Sequence, residues 1–209
     1  MQLDSDAVIW SRPEAERAGR PLLVLLHGLG SHEGDLFALS PYLPTEFTIA
    51  AVRAPLPEPP GFAWFPRHET LPLEERVESA AAGADAFAAW LRGASAEASS
   101  VGVLGFSQGA MVSLLTMRRH PGLVDFAVAL SGGAFPRPEP ADAALASQRP
   151  PVFFGYGLDD MIVPQRMFEY TAGWLAESTD ATVRAYPGLA HSISEDELGD
   201  IVAFLRARL

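Results

Sequence analysis

Six short apolar runs recur along the chain, at residues 22–26, 47–52, 101–106, 126–130, 152–156 and 182–186. Most are continuously apolar. A strand buried on one face alternates apolar and polar side chains, whereas one covered on both faces does not. These runs therefore predict strands of a parallel sheet sandwiched between layers. Residues 7–10 predict an additional antiparallel edge strand.

Between the runs, apolar positions at helical spacing predict helices over 35–42, 73–91, 107–120, 164–177 and 195–209. In the second of these, Val77, Ala81, Ala84, Phe87, Ala88 and Leu91 share a face, and Gly93 is the expected stop. The helix opening at Ser107 is apolar on nearly every side and should be buried. Arg118, Arg119 and His120 complement its C-terminal dipole, and Pro121 ends it. Strands alternating with helices predict a single α/β domain over 1–209, with helices on both faces of a mainly parallel sheet. Residues 54–66 and 131–151 are rich in Pro and Gly and follow strand C-termini, where open α/β sheets place their ligands. They are expected to be loops walling a pocket.

Composition narrows the function classes. The chain has 209 residues and no cysteine, so disulfides, thiolate nucleophiles and cysteine zinc sites are excluded. Its formal net charge of −11 opposes nucleic acid and anionic membrane as partners. The first residues are acidic and polar, unlike a signal peptide, and every apolar run is far short of the ~18 residues a membrane span needs. A cytoplasmic location without stable membrane insertion is expected.

The candidate chemistry centres on Gly105-Phe106-Ser107-Gln108-Gly109, a G-x-S-x-G pattern between a predicted strand and a predicted helix. In that setting the serine sits on a sharp turn, with glycines where side chains would collide with neighbouring elements. A nucleophilic serine needs a histidine base and a carboxylate to orient it, in the chain order Ser, Asp or Glu, His. His27, His32 and His68 precede the serine. His120 ends the helix that Ser107 starts, about 20 Å away along the axis. His191 is left, in a loop between the last strand and the last helix. Its carboxylate partner is expected after the 152–156 strand, where Asp159 and Asp160 are adjacent. Side chains of adjacent residues diverge, so one of the two should face His191 and the other should be solvated or cap the next turn. The Gln108 N–H, opening a helix, is expected to be one oxyanion donor.

The set His27-Gly28-Leu29-Gly30, Gly105-Phe106-Ser107-Gln108-Gly109, Asp160-Met161-Ile162-Val163-Pro164 and Gly188-Leu189-Ala190-His191-Ser192 resembles the phospholipase/carboxylesterase family. These are small serine esterases of the α/β-hydrolase fold, which include acyl-protein thioesterases. The resemblance implies Asp160 as the triad aspartate and the Leu29 N–H as the second oxyanion donor. It implies a small ester as substrate, with no cofactor and no metal. It also implies a role for the Trp64-Phe65 pair, either walling the pocket or packing the loop. Leu29, Phe135, Met161 and Ile162 neighbour the expected site residues and are expected to line an apolar acyl site. Tyr156 and Pro66 stand where family members often have His and Asp. The segment after Ser131 is too short for a large lid.

Three other readings compete. One is a thioesterase or lysophospholipase acting on long acyl chains. Another is a non-catalytic receptor of the same fold. The third treats Gly28-Leu29-Gly30-Ser31-His32-Glu33-Gly34 as a loosened dinucleotide fingerprint, with Arg53 as a phosphate ligand. Its spacing is off-pattern, and it leaves the Ser–Asp–His order unexplained.

Overall fold

Five consecutive leucine and valine residues, Leu22–Leu26, form strand β2, and none is exposed. In the structure, a computed structural model describing residues 1–66 and 72–209, β2 pairs in parallel with β3 (Thr48–Val52) on one side. On its other side it pairs with β6 (Val101–Phe106). The sheet continues through β7 (Phe126–Leu130) and β8 (Pro151–Gly157) to β9 (Asp180–Tyr186), all parallel. The short strand β1 (Ile9–Trp10) pairs antiparallel with β3, as the edge pattern predicts. The seven-stranded order is β1-β3-β2-β6-β7-β8-β9.

The strand residues divide between two cores. Leu22, Val24, Leu26 and Val103 point to the face covered by α2 (Leu73–Ala94), α3 (Gln108–Arg119) and α5 (Gln165–Ser178), where they meet Phe87, Leu91, Leu114 and Phe168. Leu23, Leu25, Leu104 and Phe153 point the other way, towards α1 (Glu33–Phe37) and α6 (Glu195–Arg206), and meet Leu36, Ile201 and Phe204. Burying each large aliphatic side chain contributes roughly 1.5–3 kcal/mol. That gain on both faces is why the runs need not alternate. β9 is a sheet edge, and its side chains are mostly part-exposed.

Several expected boundaries shift, each for a local reason. The helix expected over 35–42 stops at Phe37, and a separate 3-10 turn covers Ser40–Tyr42. Pro41 has no N–H to give the Phe37 carbonyl, and its ring would crowd that oxygen. Gly93 does not stop α2: the helix runs one residue further, and Ser95 Oγ closes it by donating to the Leu91 carbonyl at 2.7 Å. The two expected loops contain structure. Residues 54–66 include a hairpin of β4 (Leu56–Glu58) and β5 (Gly61–Ala63), and residues 131–151 include α4 (Asp142–Gln148). The buried Arg118 guanidinium ties the second segment down, pairing with both Asp142 oxygens and donating to the Phe135 and Arg137 carbonyls.

Candidate active site

The end of β6 dictates the conformation of Ser107. Its φ is +54° and ψ is −117°, an unfavourable region for a residue with a side chain, and α3 begins at the next residue. Ser107 N–H donates to the Leu130 carbonyl at 2.8 Å, so β7 fixes the turn. Gly105 and Gly109 are needed because nothing larger fits. A Cβ on Gly105 would run into the Gly109 carbonyl, and one on Gly109 into the Leu26 carbonyl. The serine is thereby held out at the C-terminal edge of the sheet.

His191 reaches Ser107 from the loop between β9 and α6. Its Nε2 lies 3.0 Å from Ser107 Oγ, and the Phe106 ring packs 4.9 Å from the imidazole. On its other side, Nδ1 lies 2.7 Å from Asp160 Oδ2. With the carboxylate oxygen accepting from Nδ1–H, Nε2 is left to accept the serine O–H. Asp160 is 4% exposed, and its second oxygen, Oδ1, accepts from Ile162 N–H at 2.8 Å and Val163 N–H at 3.0 Å. Asp159 is exposed, and its backbone N–H is bound to the Leu189 carbonyl. One aspartate therefore both faces the histidine and caps the following turn. Asp159 meets the solvated alternative expected of it, and the cap on the following turn comes from the second oxygen of Asp160.

The remaining histidines sit elsewhere. His120 lies beside Asp85 and Arg92 at the far end of α3. His32 caps α1, and His68 lies outside the described residues. His27 is buried: Nδ1 donates to the Gly28 carbonyl while Nε2 accepts from Ala54 N–H. Burial holds its pKa below the ordinary histidine value, in keeping with this neutral tautomer.

Ser107 and His191 open onto a cavity of about 470 Å³. Its apolar wall includes Leu29, Phe65, Phe106, Met111 and Ile162, and its polar groups include Asp35 and Arg76. Among the described residues, the backbone N–H groups of Leu29 and Gln108 find no protein acceptor.

Three expected pocket residues are absent from this wall. Trp64 is fully buried beneath it, with its indole N–H donating to the His27 carbonyl at 2.9 Å and its ring edge-on to Phe87. Phe135 is 2% exposed and stands behind Phe65, because Arg118 holds its carbonyl inward. Met161 is 92% exposed and points into solvent, away from the cavity. The Trp-Phe pair thus splits its duties: Trp64 packs, and Phe65 lines.

Other side chains contribute to this site as well. Met111 stands one helical turn after Ser107, a spacing that places it on the same face. The Gln108 side chain accepts from Trp64 N–H at 2.7 Å and donates to the Phe65 carbonyl at 2.8 Å, clamping that loop against the start of α3. No local pattern marks Arg76, which comes from the first turns of α2. Arg53 does not serve as a free phosphate ligand: it makes a paired contact with Glu33 and lies over the Phe62 ring. The Gly-rich segment is likewise occupied, with Gly30 N–H bound to the Phe62 carbonyl of the hairpin.

Comparisons with known proteins agree with this architecture. Residues 8–209 match the phospholipase/carboxylesterase family model. Acyl-protein thioesterase 1 of Kluyveromyces lactis is 27% identical over 215 residues, covering 90% of this chain and 92% of that protein. Acyl-protein thioesterase 1 of Debaryomyces hansenii is 38% identical over 104 residues, 48% of this chain, so the match spans about half (45%) of that relative's length. The crystal structure of esterase PE8 superposes with a TM-score of 0.82 at 29% identity, covering 100% of both chains. The chain belongs to the phospholipase/carboxylesterase family, and with it is a serine hydrolase of the α/β-hydrolase fold.

Proposed function

We propose that this protein is a carboxylesterase that cleaves small carboxylic or thio-esters through an acyl-enzyme on Ser107. The observation that carries the reading is the continuous contact from Ser107 Oγ to His191 to the buried Asp160, at 3.0 and 2.7 Å. Ser107 Oγ attacks the ester carbonyl as His191 Nε2 takes its proton, and Asp160 stabilises the imidazolium. The carbonyl oxygen gains negative charge and is met by the Leu29 and Gln108 N–H groups, whose lack of protein acceptors supports that role. His191 then returns the proton to the departing alcohol or thiol. Water repeats the cycle on the acyl-enzyme and releases the acid. The chain 1–209 acts as one domain in this scheme, because the residues involved follow β2, β6, β8 and β9, strands spread across one sheet.

An apolar wall with few polar groups suits hydrophobic acyl chains and discriminates weakly between neighbouring lengths. A long-chain thioesterase or lysophospholipase is the second reading, and its thioesterase part is supported by the name acyl-protein thioesterase 1 that both relatives carry. A p-nitrophenyl ester series from acetate to dodecanoate separates the two by where kcat/KM peaks. A fluorophosphonate probe should label the wild type and fail to label Ser107→Ala; equal labelling would overturn the assignment. Hydrolysis of no ester in the series would favour the receptor reading. The cytoplasm is the proposed compartment, tested by fractionating cells that produce the tagged chain.

A further inference from the structure

The Ser107 cavity is mostly apolar, yet a half-buried arginine opens onto it. Arg76 lines it together with Phe65, Phe106 and Met111. Nothing on its own helix accounts for a cation there. Arg76 is the fourth residue of α2, near the positive end of the helix dipole, and the exposed Glu74 and Glu75 already complement that end. The positions three and four residues away share its face. They are Pro72, Leu73, Ser79 and Ala80, so α2 sets no carboxylate beside it. No ion pair joins Arg76 to another of the described residues. Its place is nevertheless fixed. The adjacent Val77 is fully buried, and a Cβ on Gly83 would run into the Trp64 carbonyl, so α2 packs tightly behind the Trp64-Phe65 segment.

We propose that Arg76 is a specificity-determining residue that binds a free carboxylate carried by the ester substrate, away from the scissile carbonyl. The proposal rests on the reading of Ser107 as the esterase nucleophile and of its cavity as the substrate site. A guanidinium fork matches a carboxylate with two parallel N–H···O bonds. Between Phe65, Phe106 and Met111 such bonds form in surroundings of low polarity, where they are stronger than in water. The chain's net charge of −11 repels anions at long range, so a local cation is what admits one here. Asp35, the carboxylate on this cavity, is the weaker reader of charge, because it is exposed and its Oδ2 accepts the Ser31 hydroxyl at 2.5 Å. A cavity of about 470 Å³ has room for a small half-ester. The substrate class is an ester with one free carboxylate, on either its acyl or its alcohol side.

The test uses the full chain and two pairs of esters, each a free carboxylate and its methyl-capped twin. Mono-p-nitrophenyl adipate places the carboxylate on the acyl side, and 4-acetoxybenzoate places it on the alcohol side. The readout is the ratio of kcat/KM for the carboxylate to that for its twin, after subtraction of uncatalysed hydrolysis. In at least one pair, Arg76→Gln should lower this ratio by about tenfold or more, chiefly through KM. The pair affected identifies the side of the ester that carries the anion. Arg76→Lys should recover part of the ratio, because it keeps the charge and loses the fork. An unchanged ratio in both pairs overturns the proposal. A higher kcat/KM for acetylcholine than for either carboxylate ester, abolished by Asp35→Asn, would assign the charge reading to Asp35 and also overturn it. Wild type that cleaves neither methyl-capped ester, or Ser107→Ala that cleaves them at the wild-type rate, would instead overturn the underlying esterase reading and the proposal with it.

Discussion

Asp160 Oδ2 lies 2.7 Å from His191 Nδ1, while the neighbouring Asp159 is turned to solvent. Two adjacent aspartates therefore differ completely in environment. Asp160→Asn keeps the shape of the site but can no longer hold the Nδ1–H tautomer, and kcat should fall by roughly 10³–10⁴. Asp159→Asn should leave kcat and KM close to wild type. Steady-state kinetics on one soluble ester checks both, and the reverse ranking would reassign the carboxylate.

The Gln108 side chain holds the Trp64-Phe65 loop by two hydrogen bonds, while its backbone N–H is a separate group. Gln108→Ala removes both side-chain bonds and strands the Trp64 N–H and the Phe65 carbonyl. Stability should drop by about 1–3 kcal/mol in denaturant unfolding. KM should rise more than kcat falls, because Phe65 loses its support while the proposed oxyanion donor stays. A drop in kcat alone would contradict this division.

Glu197 gives a stability signature that depends on pH. Its side chain is fully buried, neither carboxyl oxygen finds a partner among the described residues, and burial pushes its pKa up to about 7 from 4.5. The protonated folded form is favoured. This contribution to stability is thus complete below pH 4.5 and is lost as pH rises through 7. The total is on the order of 3 kcal/mol. Glu197→Gln cannot ionise, so its unfolding free energy should lack that decline and exceed the wild type's at pH 8. Parallel stability–pH curves for the two proteins would show that the carboxyl does not titrate in this range.

Gly109→Ala tests the fit around the serine turn. The added methyl meets the Leu26 carbonyl, which is backbone in a central strand and cannot step aside. The variant should lose about 3 kcal/mol or more of stability, and the fluorophosphonate reaction with it. An unchanged melting temperature would mean that the turn is less crowded than the structure indicates.

What the chain determines alone is its layering and its chemistry. Runs such as Leu22–Leu26 are apolar at every position, and only burial on both faces accommodates that, so the parallel sheet was legible without coordinates. The pairing of Ser107 with His191 was likewise expected, since a strand–serine–helix pattern has few alternatives and chain order removes the other histidines, and the two side chains do meet. Tertiary structure decided whatever depends on direction. Periodicity leaves Asp159 and Asp160 open and the family resemblance points to Asp160; the hydrogen bonds of the turn to Ile162 and Val163 show how its carboxylate is held towards the histidine. Nor can composition separate Trp64 from Phe65, or Phe135 from Met111. Contacts distant in sequence set those roles: His27 with Trp64, Arg118 with Phe135, Gln108 with the loop at Phe65. The physical reason is that a residue's type fixes what it can bond or bury, but which partner it meets is set by packing between elements far apart along the chain.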